Sequence, residues 1–293
     1  MKKKIAAIAI ALALIFALAG CASGGVAGSD NAADANRTPA PDASASDSAN
    51  EDSADTDEAE TPAASESGGD NLTFENLRNL PEDSADQYQY TVIEGEVHIT
   101  RIDVTGDVAV IPSQIDGMNV VAVNRVANTS IKAVVIPETV RSIGKDAFAT
   151  APNVEMVYIQ GGNLTIIDEG AFNGTNLTRI NLPDSITEIG ASAFSVCSNL
   201  KTIDLPSNLV TIGDAAFSLT GLENITLPDV LEQIGFRVFD IDTLQTVTIP
   251  ASVTSIDESA FGFDPPSSLT IITPSGSVAE AFAIEHGINV QNS

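Results

Sequence analysis

Apolar and polar positions follow one pattern that recurs about every 23 residues through the C-terminal half of the chain. Each copy contains an alternating apolar stretch that ends in proline, then an Ile-Gly pair and an Ala-Phe pair. One clear copy runs from Ile203 through Pro206 and Gly213 to Phe217. A fixed period of this length is typical of a solenoid, because no copy can bury its apolar face without its neighbours. The pattern therefore predicts a repeat solenoid, which we place at residues 107–273.

The alternating stretch of each copy predicts a β-strand with one buried face, since successive side chains in a strand point to opposite faces. We expect eight such strands to form one parallel sheet about 34 Å across. They begin near Ala109, Val134, Val157, Ile180, Ile203, Ile225, Val247 and Leu269. The central outward column is Val110, Val135, Tyr158, Asn181, Asp204, Thr226, Thr248 and Thr270. The adjacent outward column is Ala133, Met156, Arg179, Thr202, Asn224 and Thr246.

Two further columns describe the interior and the turns. A phenylalanine recurs as Phe148, Phe172, Phe194, Phe217, Phe239 and Phe261. An aromatic side chain at every coil predicts a continuous stack inside the solenoid. The other column is Asn124, Gly144, Asp168, Gly190, Gly213, Gly235 and Asp257. These residue types best tolerate left-handed backbone angles, so we expect a left-handed turn there.

Both ends of the solenoid depart from the repeat, as a solenoid requires. Residues 274–293 are expected to form a C-terminal cap. Ser277 and Glu280 match a capping box, and Gly287 is a stop signal, so a capping helix is predicted between them. Residues 73–106 form the N-terminal flank, where the spacing of Phe74, Leu77 and Leu80 predicts a helical turn against the first coil.

The repeated phrase Leu-x-x-Ile-x-Leu-Pro, followed by Ile-Gly-x-x-Ala-Phe, resembles the leucine-rich repeat of BspA-like bacterial surface proteins. The resemblance covers about residues 91–293. It implies a right-handed coil with a parallel β-sheet face, short turns or helical turns, and a capped C-terminus. Members of that family are non-enzymatic and displayed on the cell surface, and some are implicated in binding host matrix proteins. The resemblance thus implies a binding function without naming the ligand.

The start of the chain predicts an export signal. A basic Lys2-Lys3-Lys4 start precedes an apolar run of ~14 residues, which is short for a membrane span of about 20. The run ends in Leu18-Ala-Gly-Cys21, which resembles the lipobox of bacterial lipoproteins. The resemblance implies removal of residues 1–20, lipidation of Cys21 with fatty acids such as palmitate, and anchoring in a bilayer at the bacterial cell surface. An ordinary secretory signal is the alternative, and either an inner or an outer membrane fits.

The next segment, residues 21–72, has a different composition. Between residues 22 and 70 it is rich in Ala, Ser, Asp and Glu, and it holds twelve acidic residues against one basic residue, Arg37. Such a chain buries too little apolar surface to offset the entropy of ordering, so we expect a disordered, extended linker that acts as a tether. A segment that binds cations or a basic partner is the alternative interpretation.

Charge and motif content exclude several functions. Loss of the three signal-peptide lysines would move the formal net charge from −27 to −30, which disfavours nucleic acid as a partner. The chain has two histidines, His98 and His286, near opposite ends of the solenoid, and no phosphate loop or metal-ligand motif. Cys197 follows Phe194 and is expected to be buried and inert. We therefore predict a protein that is not an enzyme and needs no cofactor or metal.

The outward columns supply the candidate binding site. Their N-terminal half is apolar and aromatic, and Tyr, Met and Arg are enriched at protein interfaces, so Met156, Tyr158 and Arg179 are the candidate protein-binding residues. Strand propensity alone would also explain such residues. If these side chains are free, changing Met156 and Tyr158 to Asp should abolish binding with little effect on stability. Glycan binding by the threonine-rich half, or a passive spacer role in the envelope, are the alternatives.

Overall fold

The computed structural model describes residues 72–127 and 130–293. The predicted signal, Cys21 and the linker up to residue 71 lie outside the described residues. Within the described ranges, no helix is long and apolar enough to cross a membrane.

The described residues form two α-helices and eighteen strands. The helices are α1 (Phe74–Arg78) and α2 (Val278–His286), and a 3₁₀ turn spans Ala85–Gln87. The strands are β1 (Tyr88–Ile93), β2 (Glu96–Ile102), β3 (Val108–Val110), β4 (Gln114–Ile115), β5 (Met118–Val123), β6 (Ala133–Ile136), β7 (Ser142–Ile143), β8 (Met156–Ile159), β9 (Ile166–Ile167), β10 (Arg179–Ile180), β11 (Glu188–Ile189), β12 (Thr211–Ile212), β13 (Asn224–Thr226), β14 (Gln233–Ile234), β15 (Thr246–Thr248), β16 (Ser255–Ile256), β17 (Thr270–Thr273) and β18 (Asn289–Asn292).

The strands stack into a solenoid of about eight turns, which confirms the predicted fold class. On one side, called the strand face, β3, β6, β8 and β10 form a parallel sheet, and β13, β15, β17 and β18 form another. On a second side, an eight-stranded sheet runs from the β1–β2 hairpin through β5, β7, β9 and β11 to β12, with β4 paired to β5. β14 and β16 pair separately on that side. Short parallel ladders and tight turns thus repeat in every coil.

The third side carries the predicted phenylalanine column, which is stacked as expected. Ring centroids of Phe148 and Phe172 lie 5.2 Å apart with 2° between their planes, and later neighbours up to Phe261 are 5.3 to 5.9 Å apart. Each step from one of these phenylalanine coils to the next is also joined on this side by a backbone hydrogen bond. For example, Phe194 N donates to Ala216 O at 2.8 Å. We call this side the phenylalanine edge, and the main core of the solenoid lies against it.

The expectation of left-handed backbone in the Gly, Asn and Asp column is wrong. None of its members has a positive φ; the left-handed residues come two places later in several coils, for example Ser192 (φ 55°) and Ala215 (φ 54°). At Gly190 and Gly213, glycine is needed because the backbone of the previous coil lies too close. A Cβ on Gly213 would lie 2.4 Å from the backbone nitrogen of Ala191, which is far inside van der Waals contact.

The prediction of one continuous eight-stranded face is also wrong at one coil. Residues 202–205 match the repeat phrase and Ile203 is buried, yet this segment forms no ladder with either neighbouring coil. The strand face therefore consists of two four-stranded sheets with an unpaired coil between them.

The C-terminal cap forms as its sequence predicts. Ser277 Oγ accepts a hydrogen bond from Glu280 N at 3.0 Å, and Gly287 ends α2 with a φ of 68°. Phe282 continues the aromatic column at 5.9 Å from Phe261, and His286 stacks on Phe282 at 4.1 Å. The chain then adds β18 as the last parallel strand of the strand face.

Candidate ligand-binding face

The strand face brings the three candidate residues together. Ala133 pairs with Met156 and Val135 with Tyr158 in neighbouring parallel strands, and Arg179 lies opposite Met156 on the next strand. Neighbouring strands are about 4.8 Å apart, so these side chains are neighbours on the outer face. The outward direction inferred from the repeat is therefore right.

A short helix from the N-terminal flank covers this part of the face. α1 begins after Thr73, whose hydroxyl accepts a hydrogen bond from Asn76 N at 3.2 Å and so caps the helix. Leu77 points at the sheet and is 1% exposed. It forms an apolar cluster with Val110, Ala133, Val135, Met156 and Tyr158, against which Leu72, Phe74 and Val108 pack. We call Val110, Ala133, Val135, Met156 and Tyr158 the covered half of the strand face.

Three contacts hold α1 on the sheet, and they involve its first residue, Phe74, and its last residue, Arg78. The rings of Phe74 and Tyr158 lie 5.6 Å apart and are tilted by 41°. Arg78 Nε donates a hydrogen bond to the Tyr158 hydroxyl at 3.1 Å. The guanidinium of Arg179 lies 4.9 Å from the centroid of Phe74, within range of a cation–π contact. The polar tip of Tyr158 is therefore satisfied by the chain itself.

The prediction that Met156 and Tyr158 are free for a ligand is thus wrong. Met156 is 5% exposed and Tyr158 is 9% exposed. Arg179 is exposed as a residue, but its guanidinium packs over the Phe74 ring. An uncovered apolar patch on a strand face is costly in water, and α1 removes it. The predicted helical turn exists and packs against the first coil, but it also extends across the next two coils of the face.

The segment after α1 is fastened to the edge of the same sheet. Asp83 N donates to Val110 O at 2.9 Å, and Val110 N donates to Asp83 Oδ2 at 2.7 Å. Tyr88 donates its hydroxyl hydrogen to the same carboxylate oxygen at 2.6 Å. Burial and this hydrogen bond raise the pKa of the Tyr88 phenol. Asp83 therefore occupies the outer edge of β3 in the way that another strand would.

The rest of the strand face is uncovered and polar. Its outward side chains are Thr202, Asp204, Asn224, Thr226, Thr246, Thr248 and Thr270, which we call the open half. A cleft of about 540 Å³ runs between residues 202–207 and 224–229. A second, shallow depression of about 580 Å³ lies beside Thr246 and Thr270. Both of these depressions lie in the open half.

Asn181 marks the transition between the two halves. Its side-chain oxygen accepts a hydrogen bond from Ile159 N at 2.8 Å, and its amide donates to Ile159 O at 2.8 Å. An asparagine side chain thus takes the backbone partners that the next residues of β10 would provide. The backbone pairing of β10 with β8 therefore ends at Ile180.

The other residues considered for chemistry have structural surroundings. Cys197 is buried and donates to Phe172 O at 3.1 Å, and burial raises the pKa of its thiol to about 11. His286 Nδ1 lies 2.9 Å from Phe282 O, and His98 lies in β2 at the other end. Among residues 72–127 and 130–293, no group of three His, Cys, Asp or Glu side chains could hold a metal ion.

The repeat itself is recognised by comparison with protein families. A profile of the BspA type leucine-rich repeat region matches in six copies, over residues 120–240 and 165–281. The chain belongs to this family. BspA-type repeats and their fold are typically non-enzymatic, and a leucine-rich repeat solenoid suggests a protein-interaction or surface module. A search of curated proteins finds no match to the chain.

Solved structures of bacterial leucine-rich repeat proteins are similar to this chain. One from T. pallidum shares 25% identity over 72% of this chain and 98% of that one, with a TM-score of 0.54. One from Bacteroides ovatus shares 20% identity over 73% and 77% of the two chains, with a TM-score of 0.30. A leucine rich cell surface protein from Faecalibacterium prausnitzii shares 19% identity over 70% and 98%, with a TM-score of 0.23. The T. pallidum protein supports the leucine-rich repeat fold.

Proposed function

We propose that this protein is a membrane-anchored, surface-displayed binding module of the adhesin type, and that it recognises an extracellular protein with the open half of its strand face. The observation that carries the proposal is the contrast within one face. The chain covers the apolar half with its own helix, whereas Thr202, Asn224 and Thr226 remain exposed around a cleft of about 540 Å³. Concave or grooved surfaces with convergent polar groups are the usual ligand sites.

The anchoring part of the proposal rests on the sequence before the solenoid. A lipidated Cys21 would hold the chain on a bilayer, because each buried methylene group contributes about 0.8 kcal/mol. The acidic segment that follows Cys21 would then hold the binding module away from the membrane surface. An extracytoplasmic location also agrees with the export signal that the basic and apolar start resembles.

Binding is tested with the fragment 65–293, which forms a compact unit and contains every described helix and strand. The fragment is titrated against immobilised extracellular-matrix proteins and cell-wall glycans at physiological salt. We expect saturable binding to a protein that Thr226→Lys weakens at least tenfold. The matched control is Thr187→Lys, an exposed threonine off the strand face, which should leave the affinity unchanged.

Each other outcome contradicts part of the proposal. Binding to a glycan but to no protein would assign the open half to carbohydrate recognition. Equal loss with Thr187→Lys would place the site off the strand face. A well-folded fragment that binds nothing on the panel would favour a passive spacer in the envelope.

Anchoring is tested with the full chain expressed in a bacterium that is fed labelled palmitate. The wild-type chain should carry the label and sediment with membranes. Cys21→Ser should lose the label and stay as an uncut precursor. A labelled Cys21→Ser chain, or an unlabelled wild-type chain that is secreted, would replace the lipoprotein interpretation with an ordinary secretory signal.

A further inference from the structure

On the strand face, residues 201–205 pair with neither neighbouring coil, and among the described coils their step to β13 is also unpaired on the second side. At closed steps, one carbonyl accepts from two amides of the next coil: Glu155 O from Thr178 and Arg179, and Glu223 O from Gln245 and Thr246. Thr178 O and Lys201 O are the equivalent groups of the two coils between them, and neither accepts a backbone hydrogen bond from the next coil. In the described part of the chain, no backbone hydrogen bond joins residues 201–205 to a neighbouring coil.

The second side is open at the same step. The long sheet of that side ends at β12, and β14 pairs only with β16 among the described strands. A cleft of about 350 Å³ lies between residues 210–214 and 232–235. Asp214 spans this step through its side chain, since Asp214 Oδ1 accepts a hydrogen bond from Phe236 N at 3.1 Å.

The phenylalanine edge stays closed and acts as the fixed side. Ala215 N donates to Phe236 O at 2.9 Å, and Phe217 N donates to Val238 O at 3.1 Å. The rings of Phe217 and Phe239 are 5.9 Å apart, as are those of Phe239 and Phe261 at the next, closed step. The core is continuous across the step, so an inserted strand would have to part Ile203 from Ile225 while the phenylalanine edge holds the two coils together.

The facing edges of the step have the chemistry of a missing strand. Alternate residues of a strand present their N–H and C=O groups to the same neighbour. Because Glu223 O and Leu227 N bond to β15, the peptide groups of Asn224 and Thr226 face the open step. Those of Ile203 face it from the other side. A ligand that satisfies both rows needs alternating donors and acceptors along an extended backbone.

We propose that an extended segment of a protein ligand inserts between residues 201–205 and β13 and pairs with both edges as an added strand. The proposal rests on the proposed function and specifies which kind of ligand the open half takes. Strand addition is a general mode of peptide recognition, in which backbone bonds supply affinity and alternate side chains supply specificity. Two facing edges with unpaired backbone N–H and C=O groups are what strand addition requires.

The side chains around the cleft define the sequence that fits. Inward positions of an inserted strand would lie between Ile203 and Ile225, which are 8% and 3% exposed, so they favour apolar residues. Outward positions would lie beside Asp204 and Thr226, with Asp229 also lining the cleft, so they favour basic residues. An alternating apolar and basic segment has the complementary pattern.

The test uses the fragment 65–293 and a blocked synthetic peptide, Val-Lys-Val-Lys-Val, followed by calorimetry and by hydrogen exchange. The expected result is saturable binding with slower amide exchange at Ile203, Asn224 and Thr226. The control peptide has the same sequence with N-methyl groups on alternate amides, which remove donors on one edge. Equal binding of both peptides would show that the backbone does not pair, and would overturn the proposal.

A second test of insertion uses an engineered disulfide across the open step, which we call the lock and which can be reversed by reduction. Thr202→Cys with Asn224→Cys places two thiols across the open step, and Glu188→Cys with Thr211→Cys places them across a closed step off the strand face. Cys197 is buried, so it does not compete for these thiols. Oxidation of the first pair should weaken peptide binding at least tenfold, and reduction should restore it. The second pair should change binding less than twofold.

The two proposals fail in different ways. If a protein from the ligand panel binds and Thr226→Lys weakens it, but the oxidised lock has no effect, insertion is wrong and the proposed function stands. If neither the peptide nor any protein of the panel binds, both proposals are wrong. Loss of binding in the oxidised control pair at the closed step would also overturn insertion at this step.

Discussion

The two halves of the strand face are built by the same repeat, yet only one of them needs a cover. Tyr158 and Thr226 occupy the same outward column, and Met156 and Asn224 occupy the next one. The first member of each pair is buried beneath α1, and the second is exposed. The repeat therefore sets the direction of a side chain, and the residue type decides whether that side faces solvent or another element.

This difference separates residues that form a core from residues that can bind. A buried side chain of the size of Met or Leu contributes about 1.5–3 kcal/mol when it leaves water. The covered half gains this from a helix of five residues that would not be stable alone. The open half gains nothing comparable, so its side chains remain available for a ligand.

The largest effect should come from charging the covered half. We expect Met156→Asp combined with Tyr158→Asp to lower the free energy of unfolding by more than about 3 kcal/mol, because two carboxylates would be buried against Leu77 and Val135. The measurement is urea unfolding of the fragment 65–293. Asn224→Asp with Thr226→Asp is the matched control in the same columns, and it should cost less than about 1 kcal/mol. Equal effects would erase the distinction between the halves.

Removing the anchor of the cover should have a smaller effect. Leu77→Ala is expected to cost about 2–3 kcal/mol, since Leu77 is 1% exposed and its cavity lies under a short helix. Leu80→Ala is the control, because Leu80 is 38% exposed just beyond the same helix. Thermal unfolding measures the loss, and binding of an apolar dye reports the uncovered patch. A stable Leu77→Ala chain that binds no dye would show that α1 is not the cover.

The polar contact at the tip of the cover should matter less again. Tyr158→Phe removes the acceptor of the Arg78 hydrogen bond and keeps the ring contact with Phe74. We expect limited proteolysis between residues 72 and 82 to become about two to five times faster, with little change in the melting temperature. Unchanged cleavage would mean that apolar packing alone holds α1.

The smallest effect concerns pH at the border of the open half. Hydrogen bonds from Ser207 N and Oγ lower the pKa of Asp184, so its contribution is present at neutral pH and is lost as pH falls through the carboxyl pKa. The protection of the Ser207 amide, measured as its exchange rate relative to the intrinsic rate at each pH, should therefore fall below about pH 4. Asp184→Asn should remove most of this pH dependence. An unchanged profile in that variant would assign the effect to another carboxylate.

Periodic features were predictable from the sequence because each coil repeats the same local sequence pattern and the same local structure. The phenylalanine stack, the alternating strands and the cap at Ser277 follow from spacing and residue type alone. The cover was missed because α1 and Tyr158 are 80 residues apart and only five residues form the helix. The available signals for the covering helix were Thr73 as an N-cap and the apolar pair Phe74 and Leu77. The outward apolar column of the strand face was a further signal, because it required something to cover it.

The open step was not visible in the sequence for a different reason. The coil at Ile203 has the full repeat phrase, and its 22 residues compare with 23 in the coil before it and 22 in the coil after it, so local preference predicts a paired strand. Pairing depends on how two coils meet, which no single coil encodes. The turn column shows the same limit, because Gly213 is required by the closeness of Ala191 in another coil and not by its own backbone angles.

The hydrogen bonds between Asp83 and Val110 bear on how copies of the chain could assemble. A fibril that grows along the strand face needs an edge strand free to pair at each end. Within the described residues, β3 already has its outer edge occupied by Asp83, whereas β18 has a bare outer edge. Edge pairing on this face could therefore join two copies through β18 and then stop. The backbone amide and the carboxylate of Asp83 would block further pairing at the opposite end of this face.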